Sequence, residues 1–350
     1  MTASQADTPL LEVNGLCVRL KPPRGTAFDA VHDVSFTLEA GETFCLVGES
    51  GCGKSMTALA IMGLVPEIGR ISAGEVIFYG ENLACAGERA LRDIRGRRIG
   101  MVFQEPMTSL NPVLRVGDQV AEVLTHHLRL SRKEAALRVE ELFRQVGIPS
   151  PELRVRDYPH QLSGGLRQRV MIAMALACTP SLVLADEPTT ALDVTVQGQI
   201  LALLREQAAG RGMGLLLITH DLGVVASMAD FVGVMYAGYM VEKAPAADLF
   251  NNPLHPYTRG LMLSAPTLDS MRQERLHTIP GTVPSPGALP EGCPFRPRCP
   301  RAMPRCHEMP PNVCILGGTG RAEDTPESPE MRPAPRPRPS GREVRCWLWA

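Results

Sequence analysis

The chain has 350 residues, 44% of them hydrophobic and 21% charged, which is enough apolar material for a sizeable core and argues for a folded protein. Its 36 basic and 37 acidic residues leave a net charge of −1, so no overall positive field draws it to nucleic acid or to an anionic lipid surface. Residues 1–10 carry neither a basic nor an apolar segment, so no secretory signal is read there and a cytoplasmic chain is expected.

In chain order, residues 11–18 and 34–38 alternate or run apolar as strands do, and 43–47 is a short β-rich run entering a glycine loop. Residues 55–64 have helical spacing, 75–79 read as another strand, and 119–146 have helical periodicity with Arg132, Lys133 and Glu134 on the solvent side. Residues 170–185 come nearest to a membrane span, but Pro180 interrupts them and Asp186 and Glu187 follow at once; a buried helix followed by a buried strand is the better reading. The unbroken apolar runs 182–185 and 215–218, separated by a helix over 196–207, predict a parallel sheet covered on both faces.

The loop Gly48-Glu49-Ser50-Gly51-Cys52-Gly53-Lys54-Ser55 matches GxxxxGK[ST] between a predicted strand and a predicted helix, the context in which that pattern binds phosphate. Glycines let the backbone curl so that successive N–H groups and the helix N-terminus, extended by Met56, surround the β- and γ-phosphates. Lys54 neutralises their charge and Ser55 offers a hydroxyl to Mg²⁺. Downstream, the apolar strand 182–185 ends in Asp186 and Glu187, which places two carboxylates at the edge beside the phosphate loop. Asp186 suits the Mg²⁺ shell, and Glu187 suits orientation and deprotonation of an attacking water. Between these motifs, Ser163-Gly164-Gly165 precedes a strongly helical run; it reads as a second anion cradle or as an ordinary helix cap.

The phosphate loop, Gln104, Leu162-Ser163-Gly164-Gly165, Asp186-Glu187, Ala191-Leu192-Asp193 and Thr219-His220-Asp221 stand in the order found in ABC ATPases, and over residues 10–265 the chain resembles that family. The resemblance implies an α/β, P-loop (RecA-like) nucleotide-binding domain with an antiparallel β subdomain and an α-helical signature subdomain at about 106–180. It implies ATP and Mg²⁺ as ligands, with Gln104 contacting Mg²⁺ and the water, and His220 contacting the γ-phosphate. It also implies head-to-tail pairing with a second ABC ATPase subunit, so that each signature closes over the partner's nucleotide and Asp193 crosses the interface. The adenine-stacking aromatic precedes the phosphate loop in that family, and Phe28 is the candidate here. Cys52 stands where serine is frequent and Leu166 where Gln or Met is common, and neither change removes a phosphate ligand.

Sixteen of the 31 prolines fall from Pro280 onward, and five of the ten cysteines (Cys293, Cys299, Cys306, Cys314 and Cys346) lie in the last 58 residues. Residues 266–350 read as a loop-rich module, with a mobile insert at 317–341. In a reducing compartment such a cluster favours metal over disulfides. The spacing Cys293-x5-Cys299-x6-Cys306, with Cys346 near the end and His255-Pro256-Tyr257-Thr258 upstream, resembles the extension of oligopeptide/dipeptide importer ATPases. In some of those it carries a [4Fe–4S] cluster. Zn²⁺ is the alternative ion, and Cys314 the alternative fourth ligand. The resemblance further implies two transmembrane permease subunits, an extracytoplasmic substrate-binding protein and residence on the cytoplasmic face of the membrane. Peptide is then the expected cargo, with nickel, glutathione or another small solute as alternatives. A soluble ABC ATPase acting on DNA or ribosomes would instead call for two cassettes, coiled-coil insertions or a basic surface.

Overall fold

The computed structural model describes residues 8–190, 192–265, 278–315 and 341–350. The expected insert, apart from Gly341, and Ala191 lie outside the described residues. Two antiparallel strands, β1 (Leu11–Leu20) and β2 (Phe28–Leu38), pair along most of their length, and β4 (Gly69–Phe78) lies on the other side of β1 with the short β5 (Glu81–Asn82) beyond it. The second part is a parallel sheet in which β3 (Thr43–Val47) lies between β8 (Gly214–Ile218) and β9 (Phe231–Tyr236), and β7 (Leu182–Asp186) and β6 (Ile99–Val102) extend it past β8. β10 (Tyr239–Pro245) returns antiparallel to β9 and touches β2 at Tyr239 opposite His32, joining the two parts.

The central strands are buried and apolar along their middles, with Thr43 at the start of β3 and Asp186 at the end of β7 as polar ends, because both faces are covered. In β3, Phe44 and Leu46 pack into one core with Leu182, Leu184, Leu216 and Ile218, while Cys45 and Val47 pack into the other with Val183, Ala185, Leu215 and Leu217. The period of two along each strand thus feeds two cores at once. The first core holds α1 (Lys54–Ile61) and α2 (Glu88–Ile94) against the antiparallel strands. The second takes in α4 (Val116–Leu128), α5 (Arg132–Gln145), α7 (Gly164–Leu176) and α8 (Val194–Arg211). The short helices α3 (Pro106–Ser109) and α6 (Pro151–Arg154) belong to the same helical layer. α9 (Leu222–Met228), α10 (Ala246–Asn251) and α11 (Pro256–Ser264) follow β8 and β10.

One expectation is corrected. The periodic stretch 119–146 is not a single helix, because Arg129 turns to φ 57° and ends α4, after which Ser131 starts α5. Ser131 accepts a hydrogen bond from the Glu134 N–H, and the Glu134 carboxylate accepts one from the Ser131 N–H (2.9 Å). Glu134 is therefore half of a capping box rather than an ordinary solvent-facing charge.

The last ten residues return to the main sheet. β12 (Arg342–Val344) pairs antiparallel with β10 and with β11 (Val313–Ile315). Ion pairs from Lys243 to Glu343 (2.7 Å), Arg342 to Glu242 (3.3 Å) and Arg345 to Asp33 (2.7 Å) flank the buried Val344. The segment carrying Cys293 to Cys306 is built of 3₁₀ turns and docks through Phe295, whose ring lies 5.2 Å from that of Tyr236 and 5.4 Å from that of Tyr257. Among the described residues no helix is long and apolar enough to cross a membrane.

Gly100 in β6 faces the α7 backbone so closely that a Cβ would sit 2.3 Å from the Ala175 carbonyl oxygen. Gly100→Ala should therefore push α7 off the sheet and cost about 1–3 kcal/mol, read as a fall in the urea midpoint; an unchanged midpoint would mean that α7 is not packed this tightly.

Candidate active site

The chemistry-bearing residues follow the carboxyl ends of neighbouring parallel strands. β6, β7, β8 and β3 lie side by side, and just past their ends come Gln104, Asp186-Glu187, His220 and the loop from Gly48. That edge is where a parallel α/β sheet forms its crevice.

The loop from β3 turns into α1 through Gly53, which caps the helix at φ 104°. A Cβ there would meet the Ala30 carbonyl oxygen at 2.8 Å, so both the conformation and the space require glycine. Lys54, 5% exposed, folds back so that Nζ donates to the carbonyl oxygens of Gly48 (2.8 Å) and Glu49 (3.0 Å) and approaches the Cys52 Sγ at 3.6 Å. Cys52 is fully buried behind the loop, and burial pushes its thiol up, so it stays neutral beside the ammonium. Ser50 and Gly51 form the exposed rim, while Met56 packs its side chain against the first core. A buried ammonium beside a glycine-rich loop at a helix N-terminus is equipped to receive an anion.

Ser55, in the first turn of α1, donates its hydroxyl to Asp186 Oδ1 at 3.0 Å. Burial pushes the Asp186 carboxyl up and the Ser55 hydroxyl draws it partly back. A hydroxyl and a half-desolvated carboxylate are hard oxygen donors that fit Mg²⁺, whose charge would offset the burial. Glu187 breaks from the strand with φ 45°, a conformation unusual for glutamate, while its N–H donates to the Ile218 carbonyl at 2.9 Å. Its carboxylate joins two neighbouring loops to its own turn. Gln104 Nε2 donates at 3.1 Å, the Thr190 hydroxyl donates at 2.8 Å, and His220 Nδ1 lies 3.4 Å away. The structure thus brings Lys54, Ser55, Gln104, Asp186, Glu187 and His220 to one crevice.

The other expected residues are placed differently. Phe28 opens β2, half-buried and opposite Leu20, two residues before the Ala30 that backs Gly53. Ser163 caps α7 by accepting from the Leu166 N–H, with Gly164 against Leu192 and Gly165 against Val196. Asp193 caps α8 by accepting from the Val196 N–H at 2.9 Å. Ser163, Gly164, Gly165 and Asp193 therefore gather with one another, and Ser163, Gly164 and Asp193 are exposed. Thr190, as a partner of Glu187, and Tyr257, whose hydroxyl accepts the Glu49 N–H at 2.9 Å, were not singled out as site residues from sequence. Tyr257 lies in the His255-Pro256-Tyr257-Thr258 segment noted above, whereas no sequence signal marks Thr190.

Cys293, Cys299, Cys306 and Cys346 line one small cavity together with His255, Phe295 and Trp347, whereas Cys314 is exposed on β11. Burial pushes the Cys293 thiol up to about 11 and also raises Cys299 and Cys346. Burial likewise pushes His255 down to about 3, so the imidazole in this wall is neutral. Among the described residues no group of three or more His, Cys, Asp or Glu side chains is arranged to hold a metal ion. By residue type, four cysteines are the donor set that an iron–sulfur cluster or a tetrahedral Zn²⁺ takes.

Residues 31–190 match the family described as ABC transporter, and residues 241–306 match the oligopeptide/dipeptide transporter C-terminal region. The chain is 51% identical over 324 residues to the oligopeptide transport ATP-binding protein OppD of Salmonella typhimurium, covering 92% of this chain and 96% of the relative. It is 47% identical over 344 residues to the oligopeptide transport ATP-binding protein AppD of Bacillus subtilis, covering 97% of each. Among solved structures, the dimeric post-hydrolysis state of an ATP-binding cassette bound to ADP and Pi matches with a TM-score of 0.62 and 28% identity, over 67% of this chain and 98% of that one.

Exposed Cys85 and Cys314 should be alkylated by iodoacetamide at neutral pH well before Cys293 in metal-free protein, because the thiolate is the reactive form. Peptide mass spectrometry over time checks the order, and equal labelling of Cys293 would contradict its burial.

Proposed function

The chain belongs to the ABC transporter family, as an ATP-binding protein of the oligopeptide/dipeptide type, and from that membership we propose that it hydrolyses ATP to drive peptide import across the cytoplasmic membrane. The observation that carries the hydrolytic part is the meeting of Lys54, the Ser55–Asp186 pair and the thrice-held Glu187 at one sheet edge. The peptide part is supported by the match of residues 241–306 and by the relatives' names.

In this reading the loop N–H groups from Gly48 to Ser55 and the α1 N-terminus take the β- and γ-phosphates. Lys54 exchanges its two carbonyl partners for phosphate oxygens. Ser55, Asp186 and Gln104 would hold Mg²⁺, which would supply neutralisation of the phosphate charge. Glu187 orients a water and accepts its proton as the water oxygen bonds to the terminal phosphorus and the bond to the ADP oxygen breaks. Gln104, Thr190 and His220 keep that carboxylate aimed, and His220 reaches the γ-phosphate. Phe28 stacks on adenine, contributing on the order of 1–3 kcal/mol without reading the base.

Ser163, Gly164, Gly165 and Asp193 serve the nucleotide of a second cassette, so the site is complete only in a dimer, a paralogous subunit being the expected partner. The dimeric cassettes among the structural neighbours support this. Two permeases and an extracytoplasmic binding protein complete the assembly, with this chain peripheral on the cytoplasmic face and no nucleic acid involved. Residues 10–265 form the ATPase domain, with its helical part at 106–180, and 266–350 the extension with its insert at 317–341. Cys293, Cys299, Cys306 and Cys346 hold a [4Fe–4S] cluster that staples a module poor in core of its own, with Zn²⁺ as the competing occupant.

Glu187→Gln in the assembled complex should lower phosphate release by about 10²-fold or more while MgATP binding persists; undiminished release would assign the chemistry to another subunit. Iron and sulfide content should fall when Cys293, Cys299, Cys306 or Cys346 is changed singly to Ser and hold when Cys314 is. Zinc without sulfide would select the tetrahedral ion instead.

A further inference from the structure

Glu49, the second residue of the phosphate loop, has each of its polar groups engaged. Its carbonyl accepts from Lys54 Nζ at 3.0 Å, and its N–H donates to the Tyr257 hydroxyl at 2.9 Å. Its carboxylate accepts two hydrogen bonds from Arg298 Nη1, both at 3.0 Å, across 249 positions of sequence. The guanidinium is itself fixed: Nε donates to the Pro280 carbonyl at 2.9 Å, Nη2 reaches the Ile279 carbonyl at 3.4 Å, and Nη1 lies 3.5 Å from the Tyr236 hydroxyl. Arg298 is 8% exposed and the Glu49 side chain 30%, so the pair is half-buried rather than fully solvated.

Two features make the contact more than packing. A carboxylate within the loop that receives a polyphosphate opposes that ligand unless a cation offsets it, and Arg298 is the cation placed on it. The arginine immediately precedes Cys299, in the turn that runs from Cys293 to the thiol-lined cavity.

We infer that Arg298 is a positioning residue for the nucleotide site: by neutralising and orienting Glu49 it sets the affinity of the phosphate loop for MgATP and ties that affinity to the docking of the cysteine module. The inference rests on MgATP being the ligand of the loop. It assigns the C-terminal module a direct part in nucleotide binding. The Tyr257 hydroxyl on the Glu49 N–H supplies the second prop for the loop.

The test uses the full chain in its assembled complex. Arg298→Gln should raise the KM for MgATP about tenfold with kcat changed less than about twofold, since Glu187 and its partners are untouched. Adding Glu49→Gln should bring the KM back toward that of the unsubstituted protein, because the uncompensated carboxylate is gone. A purely architectural arginine would give no such restoration, and its loss would lower kcat and thermal stability in both backgrounds. Arg298→Lys keeps the charge but not the Nε and Nη2 contacts to the Pro280 and Ile279 carbonyls that aim it, and should be intermediate; it gives the reading if the glutamine variant does not fold. An unchanged KM in Arg298→Gln or Arg298→Lys, or an equal defect with and without Glu49→Gln, overturns the inference and leaves ATP hydrolysis standing. Failure of the unsubstituted complex to bind MgATP overturns both.

Discussion

The ladder of backbone hydrogen bonds that holds β3, β8, β7 and β6 in register is the constraint on which the crevice depends. Cys45 lies opposite Leu217, Leu217 opposite Ala185, and Ala185 opposite Val102. All four strands consequently stop at about the same level, and the loop leaving each one is delivered to the same place. A parallel sheet can do this because its connections run over the faces and leave the carboxyl edge free. The cost is that every strand residue must tolerate burial on both sides, which explains why the acids of the site begin only at the last residue of β7.

Within that frame the electrostatics are arranged around two buried side chains. Lys54 is buried among carbonyl oxygens, and Asp186 is desolvated with a single hydroxyl for company. The first suits a phosphate oxygen and the second a divalent cation. The left-handed backbone at Glu187 is strain kept where the carboxylate must leave the strand direction and face the loops of Gln104 and His220.

Much of this could be read from the chain. The apolar runs at 43–47, 182–185 and 215–218 appear as strands at those positions because no other element suits short stretches buried on both faces. The phosphate loop, Asp186 and Glu187 were legible because their spacing fixes their chemistry. Periodicity failed at Arg129, where α4 and α5 continue one apolar pattern across a short break that only the Ser131–Glu134 box betrays. Contacts made by folding at long range left no local signal. The bond from Glu49 to Tyr257 spans 208 positions, and neither residue type announces it. The gathering of Cys346 with Cys293, Cys299 and Cys306 was suggested by composition and resemblance, and its physical cause, the return of β12 to the main sheet, was invisible locally.

That return has a further consequence for the edge of the sheet. β12 lies between β10 and β11, with Val344 opposite both Glu242 and Val313. The backbone of β10 at Glu242 and Lys243, which would otherwise offer its ladder groups to another chain, is therefore covered by a strand of the same molecule.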